Sequence, residues 1–321
     1  MKKRFAKGVL YAFCILGIMA LPLSASATNM PITNHSFENP VLPDGTWTPK
    51  TGYLTLPGWT ITGGSAGVFN PASNIGDNFL AGVDGQNVAW SNNGDIQQGL
   101  GVNLTEGYRY TLRVKVGGYG AYFGKPYAVI LVGDSQEIES VTGFNSQNAW
   151  IEQTLTYTSP QGDSNAGQPL TIKLMNYDGT QVNFDKVTLD ASLVLTCQGF
   201  LPPFDKPLSL KAKDNRAIPV KMVLRDLSGN IITDANITAP PVVNVFFGDA
   251  PASQDPGYVA DLVPSGLSDD GNEFRYDPVA QVWIINLATK QFKSPGTYNV
   301  TAVAGDDSYV IDGCSQTFTR Q

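Results

Sequence analysis

The chain reads as all-β. Three features predict that class: apolar residues recurring at every second position, glycine and proline breaking the chain between such stretches, and no segment with helical periodicity over the ten or so residues a stable helix uses. In "YTLRVKV", Tyr110, Leu112, Val114 and Val116 alternate with Thr111, Arg113 and Lys115. In "LTIKL", Leu170, Ile172 and Leu174 alternate with Thr171 and Lys173. Successive strand side chains point to opposite faces, so each stretch predicts one face on a core and one in water. "YAVILV" from Tyr127 is apolar throughout and predicts a central strand. Gly117-Gly118, Pro160-Gln161-Gly162 and Asp178-Gly179 supply the turns.

The first 27 residues stand apart from any fold. Lys2, Lys3, Arg4 and Lys7 precede an apolar run from Val9 to Leu23, and Ala25-Ser26-Ala27 has the small-x-small pattern of a cleavage site. The run is short and broken by Pro22, which favours a signal peptide over a membrane helix. The expected location is outside the cytoplasm: extracellular, cell surface or periplasm. Loss of the four basic residues takes the formal charge from −7 to −11. A field of that sign repels nucleic acid and anionic lipid, so neither nucleic-acid binding nor membrane insertion after cleavage is expected. No protein partner is legible.

The remaining length exceeds one ordinary domain. "TCQGFLPPFDKP" breaks the strand pattern, because Pro202, Pro203 and Pro207 offer no amide donor to a ladder. This divides the chain into 28–195 and 196–321. Further strands are predicted at Pro219–Asp226, Val242–Phe247, Glu273–Tyr276, Val282–Asn286, Thr297–Ala304 and Ser315–Arg320, a spacing that suggests a sandwich. Cys197 and Cys314 flank this second half, and export makes a disulfide between them plausible chemistry; two buried thiols are the alternative.

"NHSFENP" (Asn34–Pro40) opens the first half and "NFDKVTLD" (Asn183–Asp190) closes it. If the first and last strands lie side by side, Glu38 and Asp185 meet. Two such carboxylates repel and lose hydration, which a hard divalent cation would relieve. The candidate ligand set is therefore Glu38 and Asp185 around a structural Ca2+, with turn-capping carboxylates as the equal alternative. "SDDGNE" (Ser268–Glu273) lacks full calcium-loop spacing and reads as a solvated turn.

"NHSFE", "PGW" (Pro57–Trp59), "GVFNP" (Gly67–Pro71), "IQQGL" (Ile96–Leu100), "YRYTLRVKVG" (Tyr108–Gly117) and "NFDKVTLD" together resemble the galactose-binding-like β-sandwich of carbohydrate-binding modules. The resemblance implies a jelly-roll fold and calcium on Glu38 and Asp185. "FLPPFDKPLSLKAKDNRAIPVKMVLRDLSGNIITDA" with "FRYDPVAQVWIINLATKQFKSPGTYNVTA" resembles the PxKF domain, an immunoglobulin-like module of bacterial exported proteins, with Met222 where the family has phenylalanine. That resemblance implies an immunoglobulin-like β-sandwich acting as a spacer.

Loop aromatics flanked by glycine suit a ligand platform. The candidate binding residues are Tyr119, Tyr122, Trp47 and Tyr53, with Asn93 and Asp95 as polar partners. Trp59, Trp90 and Trp150 suit core or strand-edge positions better. His35 is the single histidine, and no G-x-S-x-G, P-loop or H-E-x-x-H pattern occurs. The expectation is a secreted noncatalytic protein binding a glycan or cell-envelope component. The alternatives are a structural or adhesive surface protein and, third, a carboxylate-based glycoside hydrolase.

Overall fold

The computed structural model describes residues 28–48, 56–73, 77–177, 179–248, 250–252 and 271–321. The leader and Tyr53 lie outside the described residues, as do Ser268 to Asp270 of "SDDGNE". The first unit contains β1 (Thr28–Asn29), β2 (Thr60–Phe69), a single helical turn α1 (Asp77–Leu80), β3 (Val88–Asn103), β4 (Tyr108–Gly118), β5 (Pro126–Gly133), β6 (Gln136–Phe144), β7 (Ala149–Thr158), β8 (Pro169–Asn176) and β9 (Val182–Cys197).

Seven of these strands are hydrogen-bonded in the order β6-β5-β8-β3-β9-β4-β7, with β2 on β3 and β1 on β9. β6 and β7 are consecutive in the chain yet stand at opposite ends of that strip and approach each other. The strip therefore curls into a near-closed barrel. This corrects the expected jelly-roll of two separate sheets. The reason lies in two sixteen-residue strands: β3 pairs with β9 through Ala89–Ser91 and with β8 through Ile96–Asn103, so the ladder continues where a sandwich would have a gap.

Cross-strand register builds the core in rows. Val68, Ala89, Phe184, Val116 and Ile151 pair in turn across β2, β3, β9, β4 and β7. The first four are fully buried in one cluster with Phe37, Leu112, Ile172, Leu174 and others of the barrel interior. Each large apolar side chain so enclosed contributes roughly 1.5–3 kcal/mol. β5 is buried on both faces, as its unbroken apolar run predicts. β1 pairs antiparallel with β9, Thr28 opposite Ala191, so the first and last strands of this unit are neighbours.

The rest of the chain contains β10 (Leu208–Leu210), β11 (Ala217–Met222), β12 (Leu224–Arg225), β13 (Val242–Phe247), β14 (Ala250–Pro251), β15 (Arg275–Asp277), β16 (Val282–Ala288), β17 (Gly296–Val303), β18 (Tyr309–Asp312) and β19 (Ser315–Arg320). They form a five-stranded sheet, β10-β19-β17-β13-β14, and a three-stranded sheet, β11-β16-β15, over a second core that includes Trp283, Tyr298 and Phe318. The expected free-standing immunoglobulin-like sandwich is corrected here. β12 and β18 leave the unit to pair with the end of β9: Leu224 opposite Cys197, and Tyr309–Asp312 parallel to Leu193–Thr196. "PVKM" lies in β11, with Val220 and Met222 buried. Cys197 and Cys314 form a disulfide, Cα–Cα 5.3 Å.

Candidate active site

One residue along from the core row, the register places Gly67, Trp90, Asn183, Gly117 and Trp150 in a parallel row across the same five strands. Alternation puts this row on the outer face of the sheet. Its two glycines have a steric purpose. A Cβ on Gly117 would stand 2.8 Å from the Trp150 ring, and one on Gly67 would stand 3.1 Å from Trp90 Nε1. Each tryptophan therefore lies down on a bare stretch of backbone, with Asn183 between them. Asn183 is fully buried, and its amide makes long bonds to Ala89 O and from Gln181, both 3.3 Å.

A strap, residues 79–87, crosses this face. Phe79 is fully buried and packs on Tyr119 and Trp150, ring centroids 5.6 and 5.0 Å apart. Four side chains fasten it. Trp150 Nε1 donates to Phe79 O at 2.8 Å, and Lys115 Nζ to Gly82 O at 2.7 Å. Asp84 N donates to Asp185 Oδ2 at 2.6 Å, while Gln86 N and Asn87 N donate to Glu38 Oε1 at 3.0 and 2.8 Å. Phe69, Val88 and Trp90, with Val83, Tyr119 and Trp150, make a small aromatic cluster beneath the strap. A cleft of about 550 Å3 opens beside it, lined by Ala81, Gly82, Gln147, Asn148, Ala149 and Trp150.

The strap also sets the local electrostatics. Burial pushes the Asp185 carboxyl up to about 8; the amides of Asp84 and Lys186 pull the other way, the Asp84 charge raises it further and Lys115 lowers it. Asn87 Oδ1 is buried with no hydrogen-bond partner among the described residues. Glu38 and Asp185 thus grip the same four-residue segment from two directions. Among the described residues, no group of three or more His, Cys, Asp or Glu side chains converges.

The residues picked from sequence fall in different places. Tyr119 joins the aromatic cluster, 5.7 Å from Phe69 between centroids. Tyr122 follows in the same loop and is exposed. Trp47 is exposed and bridges by its backbone to Phe69. Asn93 is exposed within β3, with φ +58°, and Asp95 is held by Lys173 at 2.8 Å. Trp59 and Trp90 are buried as expected of core positions, while Trp150 lines the cleft. Trp90, Trp150, Asn183 and Phe79, which come together on the outer face, were not among the binding residues picked from sequence. The signal was present in "NFDKVTLD": if Phe184 faces the core, both Asn183 and Asp185 face outward.

The HpiC1 cyclase family model matches residues 28–190, about half of the chain and nearly all of the first unit. The chain belongs to the HpiC1-like family. Among solved structures, an apo cyclase from Fischerella sp. is 25% identical over 53% of this chain and 98% of its own, TM-score 0.46. The Stig cyclase Fisc from Fischerella sp. TAU, in complex with (3Z)-3-(1-methyl-2-pyrrolidinylidene)-3H-indole, is 24% identical over 52% of this chain and 99% of its own, TM-score 0.45. A cyclase from Fischerella sp. TAU in complex with 4-(1H-indol-3-yl)butan-2-one is 22% identical over 52% and 98%, TM-score 0.45. A comparison with curated proteins yields no match.

Membership of an HpiC1-like cyclase family corrects several expectations at once. The carbohydrate-binding-module resemblance, the noncatalytic glycan or cell-envelope binder, the structural or adhesive alternative and the glycoside hydrolase all give way to a cyclase relationship. The PxKF resemblance gives way with them, since β12 and β18 are shared with the barrel. The motifs behind the carbohydrate-module resemblance are strand ends and turns, which report a scaffold and leave open what its outer face carries. The expectation of a noncatalytic protein rested on the missing nucleophile and base patterns, and the cyclase family overturns it.

Proposed function

We propose that the first unit is a small-molecule cyclase whose substrate site is the strapped outer face, with Trp90 and Trp150 as walls and Asn183 between them. The family match carries this reading, and the aromatic row supports it. The substrate would be a compact, flat, largely apolar molecule, because the cluster around the row is aromatic and aliphatic. The face would act by holding that molecule in a folded, near-attack arrangement while the strap keeps water away. Its polar groups, the Asn183 amide and the Tyr119 hydroxyl, would orient the substrate. A panel of indole-type compounds starting from 4-(1H-indol-3-yl)butan-2-one, followed by tryptophan fluorescence, tests the site. Saturable quenching that is weakened at least tenfold in Trp150→Ala is expected; unchanged binding by that variant would move the site elsewhere.

We propose further that Glu38 and Asp185 hold a structural Ca2+ at the strap. The residues fit such an ion. Asp185 is a fully buried carboxylate beside Asp84, and Asn87 Oδ1 is a buried oxygen with no donor among the described residues. Main-chain oxygens would complete the shell. The ion would supply only charge neutralisation and anchoring. Calcium at a hundred times its Kd would then add about 2.7 kcal/mol of stability to the wild type and none to Glu38→Gln. A wild-type melting temperature indifferent to both calcium and EGTA counts against the ion.

The leader, the disulfide and the acidic balance support export, with 28–195 as the cyclase unit and 196–321 as an appended unit fastened to it. Immunodetection of the processed chain outside the cytoplasm checks this, and retention of the leader on a cytosolic chain would contradict it.

A further inference from the structure

The two indole N–H groups of the outer row differ in one respect. Trp150 Nε1 has its acceptor, Phe79 O. Trp90 Nε1 is buried and meets no acceptor among the described residues, although the residue is only 4% exposed. An unmatched buried donor costs about 1–3 kcal/mol, and interiors seldom keep one without a use. The position is also enforced. The N–H edge of the ring lies over Gly67, where a Cβ would approach Nε1 to 3.1 Å and Cε2 to 3.2 Å. Glycine at 67 thus makes room on β2 both for the Thr48 hydroxyl, the nearest atom to that position, and for the N–H edge of the indole. Phe69, Val88 and Val83 of its cluster offer only carbon. The Thr48 hydroxyl beside Gly67 is engaged with the Val68 backbone, accepting from Val68 N at 3.0 Å and donating to Val68 O at 3.3 Å.

We propose that Trp90 Nε1–H is a substrate-orienting donor, which takes a hydrogen-bond acceptor on the substrate. This rests on the reading of the strapped face as the substrate site and narrows its substrate class. The ring that lies against the aromatic cluster must carry an oxygen or nitrogen acceptor, and a plain hydrocarbon of the same shape is discriminated against. Val83 belongs to the strap and to the cluster, so the ligand reaches Trp90 by displacing that part of the strap. Binding then supplies the hydrogen bond that the ligand-free face lacks.

The test uses the full chain and two probes that differ only in the acceptor, 3-acetylindole and 3-ethylindole. Calorimetric titration of the wild type is expected to favour the acetyl compound by about fivefold to tenfold, the size of one neutral buried hydrogen bond. Trp90→Phe keeps an aromatic ring and is expected to bind both probes equally. Trp150→Phe weakens both but preserves their ratio, because that N–H is already used within the protein. With 15N-labelled tryptophan, the indole resonance lost in Trp90→Phe should shift on adding 3-acetylindole and stay still with 3-ethylindole. If Trp90→Phe does not fold, the Trp90 indole resonance is assigned in the wild type by its through-bond connection to the Trp90 backbone, and its shift alone decides. Equal wild-type affinity for the two probes, a ratio that survives Trp90→Phe, or an unmoved resonance overturns the inference and leaves the face as the site. Binding of neither probe overturns both.

Discussion

At the scale of single residues, backbone without a side chain is as consequential as any ring. Gly117 presses on Trp150 from the sheet and Gly82 from the strap. A methyl at Gly117 would push the indole off β4 and pull Nε1 from Phe79 O. Gly117→Ala is expected to cost about 1–3 kcal/mol, read as a lower urea midpoint, while Gly162→Ala serves only as a control for unhindered but strained turn glycine. Ionisation provides a second residue-scale prediction. Burial opposes the charge on Asp163, yet hydrogen bonds from Ser159, Tyr157 and Asn165 outweigh it and hold the carboxyl below its ordinary value of 3.8. A depressed folded value stabilises above the unfolded one and is lost as pH falls through the folded one. The urea midpoint of the wild type should therefore fall on acidification below about pH 4, and more steeply than that of Asp163→Asn.

At the scale of elements, the strap is the weakly built part of a strongly built unit. It has one helical turn and depends on side chains from β4, β7 and β9 and on Glu38. Lys115→Met is expected to speed amide exchange across 79–87 by about fivefold, the weight of one hydrogen bond, with β4 and β9 unchanged by mass spectrometry. The strands themselves were legible in sequence wherever apolar residues alternate or run: β4, β5 and β8 lie where the pattern puts them. β2, β3, β6 and β7 were not read although they run nine residues or more, and β10, β14 and β18 carry too little periodicity in two to four residues to read. The outer row was illegible for a different cause. Trp90 and Asn183 are ninety-three positions apart, and only the pairing of β3 with β9 makes them neighbours. Glu38 and Asp185, each in a strand-end motif, were picked from sequence as ligands of an ion. Their hydrogen bonds to the amides of residues 84, 86 and 87 were not foreseen, because those partners lie about fifty and a hundred positions away. Trp150 sits in no such motif.

At the scale of the whole molecule, the two units are stitched rather than strung. The Cys197–Cys314 bridge closes a loop with a sequence separation of 117, and Arg109 reaches Asp312 at 2.9 Å. Replacing both cysteines by serine is expected to remove about 4–5 kcal/mol by chain entropy, seen as an earlier denaturant transition of the second unit. β9 gives the same fact a practical edge. Its last residues, beyond Asp190, hold Tyr108–Tyr110 on one side and Tyr309–Asp312 on the other. A fragment trimmed to the matched region would bare those amides, and naked strand margins recruit other chains. The barrel half cut out alone is expected to be a sticky, self-associating preparation.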